Sequence, residues 1–285
     1  MVSEILNLEG FSILKRLGTG ARSIIYLAVD EEKKRQVALK RAIYERPEDS
    51  RIFEQMEAEY RVARAINHRY IRKCYDLIKL RNFLSVREVL LTMEFFEGQT
   101  LEDSPGMSLI DVMLIFKMVA DGLYAMHEQG YVHCDIKPNN IMISPNGSIK
   151  IIDLGQSCRT GTTKARIQGT PDYIAPEQVR RQPLDQRTDV FNLGATMYWA
   201  LTGKNVPTLI PKKNEALGFD LPKPTRTPNE LQSQIPIGIS NLVMDCVKDN
   251  PAERPADMNV VVSRLDILIH SVLENKRDKN GSNHR

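Results

Sequence analysis

At 285 residues, with 42% hydrophobic and 26% charged side chains, the chain has an ordinary globular composition and room for one large domain or two modest ones. A net charge of +3 is too small to argue for nucleic acid, and no apolar run approaches the roughly 20 residues that cross a bilayer. The four cysteines, Cys74, Cys134, Cys158 and Cys246, lack paired metal-ligand spacing, which argues against zinc and fits a reducing, cytoplasmic compartment. Residues 11–18 (FSILKRLG), 23–30 (SIIYLAVD) and 35–43 (RQVALKRAI) read as three strands. Between the first two, Gly18-Thr19-Gly20-Ala21-Arg22-Ser23 is either an ordinary hairpin turn or a turn whose backbone N–H groups approach phosphate oxygens. Over 49–67 the spacing predicts a helix with Ile52, Met56, Tyr60, Ala63 and Ile66 on one face. Glu59 falls inside that stripe. It is either a rim residue or an inward carboxylate that needs a cation, for which Lys40 is the natural candidate.

Residues 75–96 give two more strands, completing a five-stranded antiparallel unit with one helix. Gly98-Gln99 and SPGM at 104–107 read as a linker or hinge. A long amphipathic helix is expected from Leu109 to Glu128, closed by Gly130. Residues 156–172 are polar and aperiodic and read as a mobile loop. Residues 189–202 are apolar nearly all round, so a buried helix is expected there, with Asp189 as either its N-cap or a buried anchor. Six prolines in 205–236 exclude a long helix; the stretch is either a plain excursion or a docking surface. Helices near 238–248 and 256–275 follow, and the basic 276–285 reads as a disordered tail.

The stretch the chain is organised around is His133 to Gly155, HCDIKPNNIMISPNGSIKIIDLG. Apolar runs at 141–143 and 149–153 flank a Pro-Asn-Gly turn, so Asp135 and Asp153 lie at the ends of a short hairpin. Two carboxylates with Lys137 and Asn140 suit a site that handles Mg²⁺ and phosphate. Oxygen ligands hold the ion, a lysine offsets phosphoryl charge, and a carboxylate accepts a hydroxyl proton.

These motifs together resemble the protein-kinase family over roughly residues 10–272. In order they are GTGARSII, VALK (37–40), Glu59, HCDIKPNN (133–140), DLG (153–155), APE (175–177) and DVFNLG (189–194). The resemblance implies an α+β, bilobal fold. Its small lobe spans 1–96, with five antiparallel strands and one helix, and its larger, mainly helical lobe spans 97–275. It implies ATP as cofactor with Mg²⁺, or Mn²⁺ in its place. Lys40, held by Glu59, would grip the α- and β-phosphates, Asp135 would take the substrate hydroxyl proton, and Lys137 would steady the transferring group. Asn140 and Asp153 would hold the metal. Leu17, Gly18, Thr19 and Gly20 would cover the nucleotide, Ile25, Ala38 and Met142 would sandwich adenine, and Met93, Glu94 and Phe96 would line the back pocket and hinge. Asp189 would anchor the catalytic loop and Glu177 would pair with Arg254. Lys137 and the GTPDYIAPE segment (169–177), with Thr170 near Asp135 and Lys137, are similar to those of Ser/Thr kinases of bacterial type. The implied partners are proteins bearing Ser or Thr, with self-phosphorylation at Thr160, Thr162 and Thr163, and neither nucleic acid nor a membrane segment. The alternatives are a nucleotide-binding pseudokinase or scaffold, and a small-molecule kinase.

Several positions depart from the family pattern. Ser23 replaces the third glycine of the loop and Leu154 the usual Phe, while Ala63 and Cys74 are small where larger apolar side chains are common. Cys134 replaces the Arg that pairs with a phosphate on the activation loop. A thiol cannot make that contact, so activity is expected not to depend on activation-loop phosphorylation.

Overall fold

The computed structural model describes residue 8 and residues 10–20, 22–83, 85–210 and 226–282. The chain divides into two compact units, one made of 1–98 with 152–155, the other of 99–151 with 156–285.

In the first unit, β1 (Phe11–Thr19), β2 (Ile24–Asp30), β3 (Arg35–Ile43), β4 (Cys74–Asn82) and β5 (Ser85–Glu94) form one antiparallel sheet in the order β1-β2-β3-β5-β4. Helix α1 (Ser50–Ala65) lies between β3 and β4 in sequence. Alternation along β3 sorts its side chains onto two faces. Val37 and Leu39 join Leu8, Ala28 and Leu90 in one apolar cluster. Ala38 and Lys40 therefore point to the other face, where their cross-strand partners are Met93 and Leu91. The buried side of α1 is Phe53, Met56, Glu59, Val62 and Ala63. The expected stripe is thus rotated: Ile52 and Tyr60 sit at its edge, half-buried, while Phe53 and Val62 turn inward. Two stripes one residue apart are nearly equivalent by spacing, and packing against β4 and β5 selects one.

The second unit opens with β6 (Gln99–Thr100), which pairs with a later hairpin, and α2 (Leu109–Glu128). Ser108 caps α2 by accepting the Asp111 N–H. Gly130, at φ +72°, follows the last turn and donates to the His127 carbonyl at 2.8 Å. Next come β7 (Tyr131–Val132), a single 3-10 turn at Pro138–Asn140, and the hairpin of β8 (Ile141–Ile143) and β9 (Ile149–Ile151). Gly147, at φ +80°, occupies the turn of that hairpin, as Pro-Asn-Gly demands.

The segment expected as a mobile loop begins with a strand, β10 (Cys158–Arg159), paired with β7. Beyond it the backbone is hooked on both sides. Thr160 donates to the Gly130 carbonyl (3.0 Å), Gly161 to that of Leu184 (2.7 Å), and Leu184 back to that of Thr162 (3.0 Å). Two residues of strand leave no detectable alternation, which is why the sequence reads as loop here.

After the short α3 (Pro176–Val179), α4 (Gln186–Thr202) is buried along nearly its whole length. It starts three residues before the expected position. Asp185 is its N-cap, accepting the Arg187 N–H at 2.8 Å, and Asp189 is fully buried inside the first turn. The short α5 (Pro228–Leu231) is the only helix among the described residues of the Pro-rich stretch; residues 211–225 lie outside them. Helices α6 (Ile237–Cys246) and α7 (Met258–Ser282) complete the unit. Where a disordered tail was expected from 276, α7 runs on to Ser282; Lys and Arg are good helix formers and no proline interrupts the stretch. Among the described residues no helix is long and apolar enough to cross a membrane.

Candidate active site

The first unit builds a buried charge cluster around Glu59, whose side chain is 1% exposed. Lys40 Nζ donates to Glu59 Oε2 at 2.8 Å, and Arg72 donates to Oε1 at 3.1 Å. Asp153 Oδ1 lies 3.9 Å from the same ammonium. Burial disfavours a charged lysine. The carboxylates of Glu59 and Asp153 outweigh that and hold the Lys40 pKa above its ordinary value, so the group is a cation at every physiological pH. Asp153 adopts φ +61°, a left-handed conformation that non-glycine residues seldom take. Gly155 follows it closely against α1, where a Cβ would meet the Gln55 Cβ and carbonyl at 3.4 Å. Leu154 between them is buried.

The glycine-rich turn belongs to the same unit. Gly20 N–H closes it onto the Ser23 carbonyl at 2.8 Å, and the Ser23 hydroxyl stands 2.8 Å from where a Gly20 Cβ would be. Asp49 secures the turn from outside. It accepts the Arg22 guanidinium and the N–H groups of Glu45 (2.9 Å) and Arg46 (2.7 Å), which bring its carboxyl down to about 2. A cavity of about 400 Å³ opens there, lined by Thr19, Gly20, Ser23, Arg41, Arg46 and Asp49.

The second unit holds a separate constellation on the loop between β7 and β8. The Thr170 hydroxyl donates to Asp135 Oδ1 at 2.8 Å and accepts from Lys137 Nζ at 2.8 Å. Lys137 Nζ also lies 3.0 Å from Asp135 Oδ2. Asn140 donates to the Asp135 carbonyl at 2.8 Å and more weakly to Oδ2 at 3.3 Å. Three side chains drawn from two segments thus surround the Asp135 carboxylate and fix its direction.

That loop is held from behind by buried groups. Asp189 accepts the backbone N–H of His133 and of Cys134, each at 2.8 Å, and His127 Nε2–H at 2.8 Å. Burial would raise the Asp189 pKa. The His127 hydrogen bond and the nearby His127 and His133 rings outweigh burial and hold it below 3.8. Gln178 donates to the Cys134 carbonyl (2.8 Å) and the Gln168 carbonyl (3.1 Å). Thr196 of α4 donates to the Ile136 carbonyl at 3.2 Å. Glu177 receives Arg254 bidentately at 2.7 and 2.9 Å, in a setting where both are buried.

The remaining predicted residues fall as follows. Leu17 sits at a break in the β1–β2 register between Arg16 and Gly18, with its side chain exposed. Gly18 and Thr19 end β1, and Ile25 lies on β2 opposite Lys40. Ala38 and Met93 are buried cross-strand partners, Glu94 ends β5, and Phe96 follows in the connecting segment. Met142 lies on β8 in the second unit. Sequence reasoning missed Arg72, the Arg22–Asp49 tie, His127 and Gln178. None of these four left a periodic or motif signal in the sequence.

A model of the family described as "Protein kinase domain" matches residues 11–265. The chain belongs to the protein kinase domain family. It is 28% identical over 278 residues to a probable serine/threonine-protein kinase of Clostridium acetobutylicum, covering 93% of this chain and 40% of that protein. With the serine/threonine-protein kinase PknL of Mycobacterium tuberculosis it shares 29% identity over 269 residues, 90% of this chain and 65% of that one. With PknB of Mycobacterium leprae it shares 29% over 254 residues, covering 84% and 39%. The kinase chain thus spans less than two thirds of the length of these relatives. Membership implies ATP and a divalent cation in general. Each unit carries an oxygen-bearing side chain of the kind a hard cation takes, Asp153 in the first and Asn140 in the second. Among the described residues no group of three or more His, Cys, Asp or Glu could hold a metal alone.

Proposed function

We propose that this chain is the catalytic domain of a protein Ser/Thr kinase that transfers the γ-phosphoryl group of ATP to Ser or Thr hydroxyls, with Mg²⁺ (or Mn²⁺) and in the cytoplasm. The observation that carries the reading is the Thr170 hydroxyl joining Asp135 and Lys137, at 2.8 Å to each. It aims a carboxylate and an ammonium at one place, which is what a hydroxyl nucleophile and an anionic transferring group require.

In this reading Asp135 accepts the proton of the substrate hydroxyl as its oxygen attacks the γ-phosphorus and the bond to the ADP oxygen breaks. Lys137 offsets the charge spread over the equatorial oxygens. Lys40, kept cationic by Glu59, contacts the α- and β-phosphates. Leu17, Gly18, Thr19, Gly20, Ile25, Ala38, Met93, Glu94, Phe96 and Met142 contact the rest of the nucleotide. Asn140 and Asp153 would hold the metal ion, which supplies charge neutralisation when bound. Thr160 and Thr163, which are exposed, and the half-buried Thr162 are acceptors for self-phosphorylation.

With Cys134 beside Asp135, no arginine is present at that position to pair with a phosphorylated loop. Activity is therefore independent of those threonines. Transfer of label from γ-labelled ATP to a general protein substrate tests the reading. Asp135→Asn should lower transfer by about 10²–10⁴-fold, and equal signals for the two proteins would reject it. Replacing Thr160, Thr162 and Thr163 together by Ala should leave transfer within a few-fold; a hundredfold loss would show that loop phosphorylation is required after all.

A further inference from the structure

Cys134 and Cys158 come from different segments, yet their sulfurs lie 3.6 Å apart. The topology puts them there. Cys158 opens β10 opposite Val132 of β7, and Cys134 is two residues beyond Val132. The Cys134 backbone is fixed at φ +67° by Asp189 on its N–H and Gln178 on its carbonyl, which sets the direction of its side chain. Around the pair are Val132 and Leu184. A small side chain would fill this space equally well. A filler leaves unexplained a second thiol within hydrogen-bond reach on another strand.

The two sulfurs also differ in character. Cys134 is fully buried and Cys158 half-buried. The Cys134 hydrogen bond raises the Cys134 pKa and lowers that of Cys158, where the Lys164 charge also favours the thiolate against burial and Asp189. Cys74 and Cys246, by contrast, are pushed up to about 12 by burial. A half-buried sulfur whose thiolate is favoured, with a buried thiol 3.6 Å behind it, is the arrangement of an attacking and a resolving cysteine.

We propose that Cys134 and Cys158 are a modification site for hydroperoxides, closing into a disulfide that locks the catalytic loop to β10 and suppresses phosphotransfer. The Cys158 thiolate attacks one peroxide oxygen. The O–O bond breaks, the sulfur is oxidised to a sulfenic acid, and the other oxygen leaves as hydroxide. The Cys134 sulfur then attacks that of Cys158, the S–S bond forms and the S–OH bond breaks. The departing hydroxide takes the Cys134 proton as water. The first hydroxide takes up the proton that Cys158 released on forming its thiolate, so two thiols and one hydrogen peroxide give one disulfide and two waters. Closure to the roughly 2.05 Å of an S–S bond moves the sulfurs by about 1.5 Å. Because Cys134 adjoins Asp135, that movement reaches the carboxylate.

The test treats the purified chain with hydrogen peroxide, caps remaining thiols, and maps the unreduced digest by mass spectrometry. A linked peptide joining Cys134 to Cys158 is expected, with Cys74 and Cys246 still thiols. In Cys134→Ser, Cys158 should instead carry a sulfenic acid that a 1,3-dicarbonyl probe traps. Wild type with Cys158 overoxidised while Cys134 stays a thiol, or linked through Cys74, Cys246 or a second chain, would overturn the site. The effect on activity rests on the kinase reading, whereas the linked peptide does not. Phosphotransfer should fall by roughly tenfold or more on oxidation, return with dithiothreitol, and survive peroxide in Cys158→Ser. Full activity in a fully linked chain overturns the regulatory role. Absent activity before oxidation counts against the kinase reading alone.

Discussion

Thr170 has one proton and two neighbours, and the way it serves both is informative. It donates to Asp135 and accepts from Lys137, so removing its hydroxyl leaves the carboxylate and the ammonium each short of a partner. Thr170→Val should lower phosphotransfer by about tenfold to a hundredfold, the worth of a hydrogen bond to a charged group, and Thr170→Ser should stay near wild type. Equal activity of Val and Ser variants would remove Thr170 from the mechanism. Asp189 gives a pH-dependent prediction. Its folded pKa lies below 3.8, so the stability it contributes is complete above that pH and is lost as pH falls through the depressed folded value. The stability gap between wild type and Asp189→Asn, measured by denaturant titration, should be wide at pH 6 and narrow near pH 3. A gap independent of pH would mean that Asp189 acts by shape alone. Asp135, Lys137, Asn140, Lys40 and Glu59 were legible in the sequence because their spacing is local or repeats a known pattern. Arg72 and the Arg22–Asp49 tie were not. A contact across 13 or 27 positions leaves no periodic trace.

Among the elements, α4 and α6 approach so closely that Gly194 is the only kind of residue that fits. A Cβ there would lie 2.4 Å from the Cβ of Cys246. Gly194→Ala should destabilise the fold by about 1–3 kcal/mol or more, seen as a lower melting temperature. Cys246→Ala, which keeps the obstructing Cβ, should give no rescue; a rescue would move the clash to the sulfur. The Glu177–Arg254 pair ties α3 to the segment before α7. Arg254 also donates to the carbonyls of Arg187, Lys248 and Asp249. Loss of Glu177 therefore leaves a guanidinium still partly satisfied, whereas loss of Arg254 orphans a buried carboxylate and three carbonyls. Arg254→Ala should cost more than Glu177→Ala, with about 3–5 kcal/mol for breaking a buried pair as the scale. The reverse order in denaturant unfolding would contradict this. Strands β1 to β5 were legible from strand-like composition between turns, α1 and α2 from helical spacing, and α4 from a stretch apolar nearly all round. The rotation of α1 and the true cap of α4 were decided by packing, since Asp185 and Asp189 look alike to any rule about helix starts.

For the whole molecule, the seven ordered motifs implied the family and the two-unit architecture. A chain that binds ATP and a divalent cation in its folded form gains stability by mass action, about 2.7 kcal/mol when the nucleotide is at a hundred times its dissociation constant. Thermal unfolding with Mg-ATP should therefore rise by several degrees. The rise should shrink on chelation of the metal and in Lys40→Met. A shift that survives chelation would show that the metal is not part of the binding.

The hooked backbone after β10 has a kinetic consequence. Gly161 and Leu184 give their amide protons to the same short ladder, so hydrogen exchange at both positions should report one opening event, with matched protection. Thr162 lends its carbonyl to that ladder and is half-buried, so an enzyme acting on its hydroxyl has to wait for the opening. Thr163, exposed and beyond the hook, does not. Phosphate should therefore arrive on Thr163 before Thr162, and the delay between them is set by how often the ladder opens rather than by which residue the attacking kinase prefers.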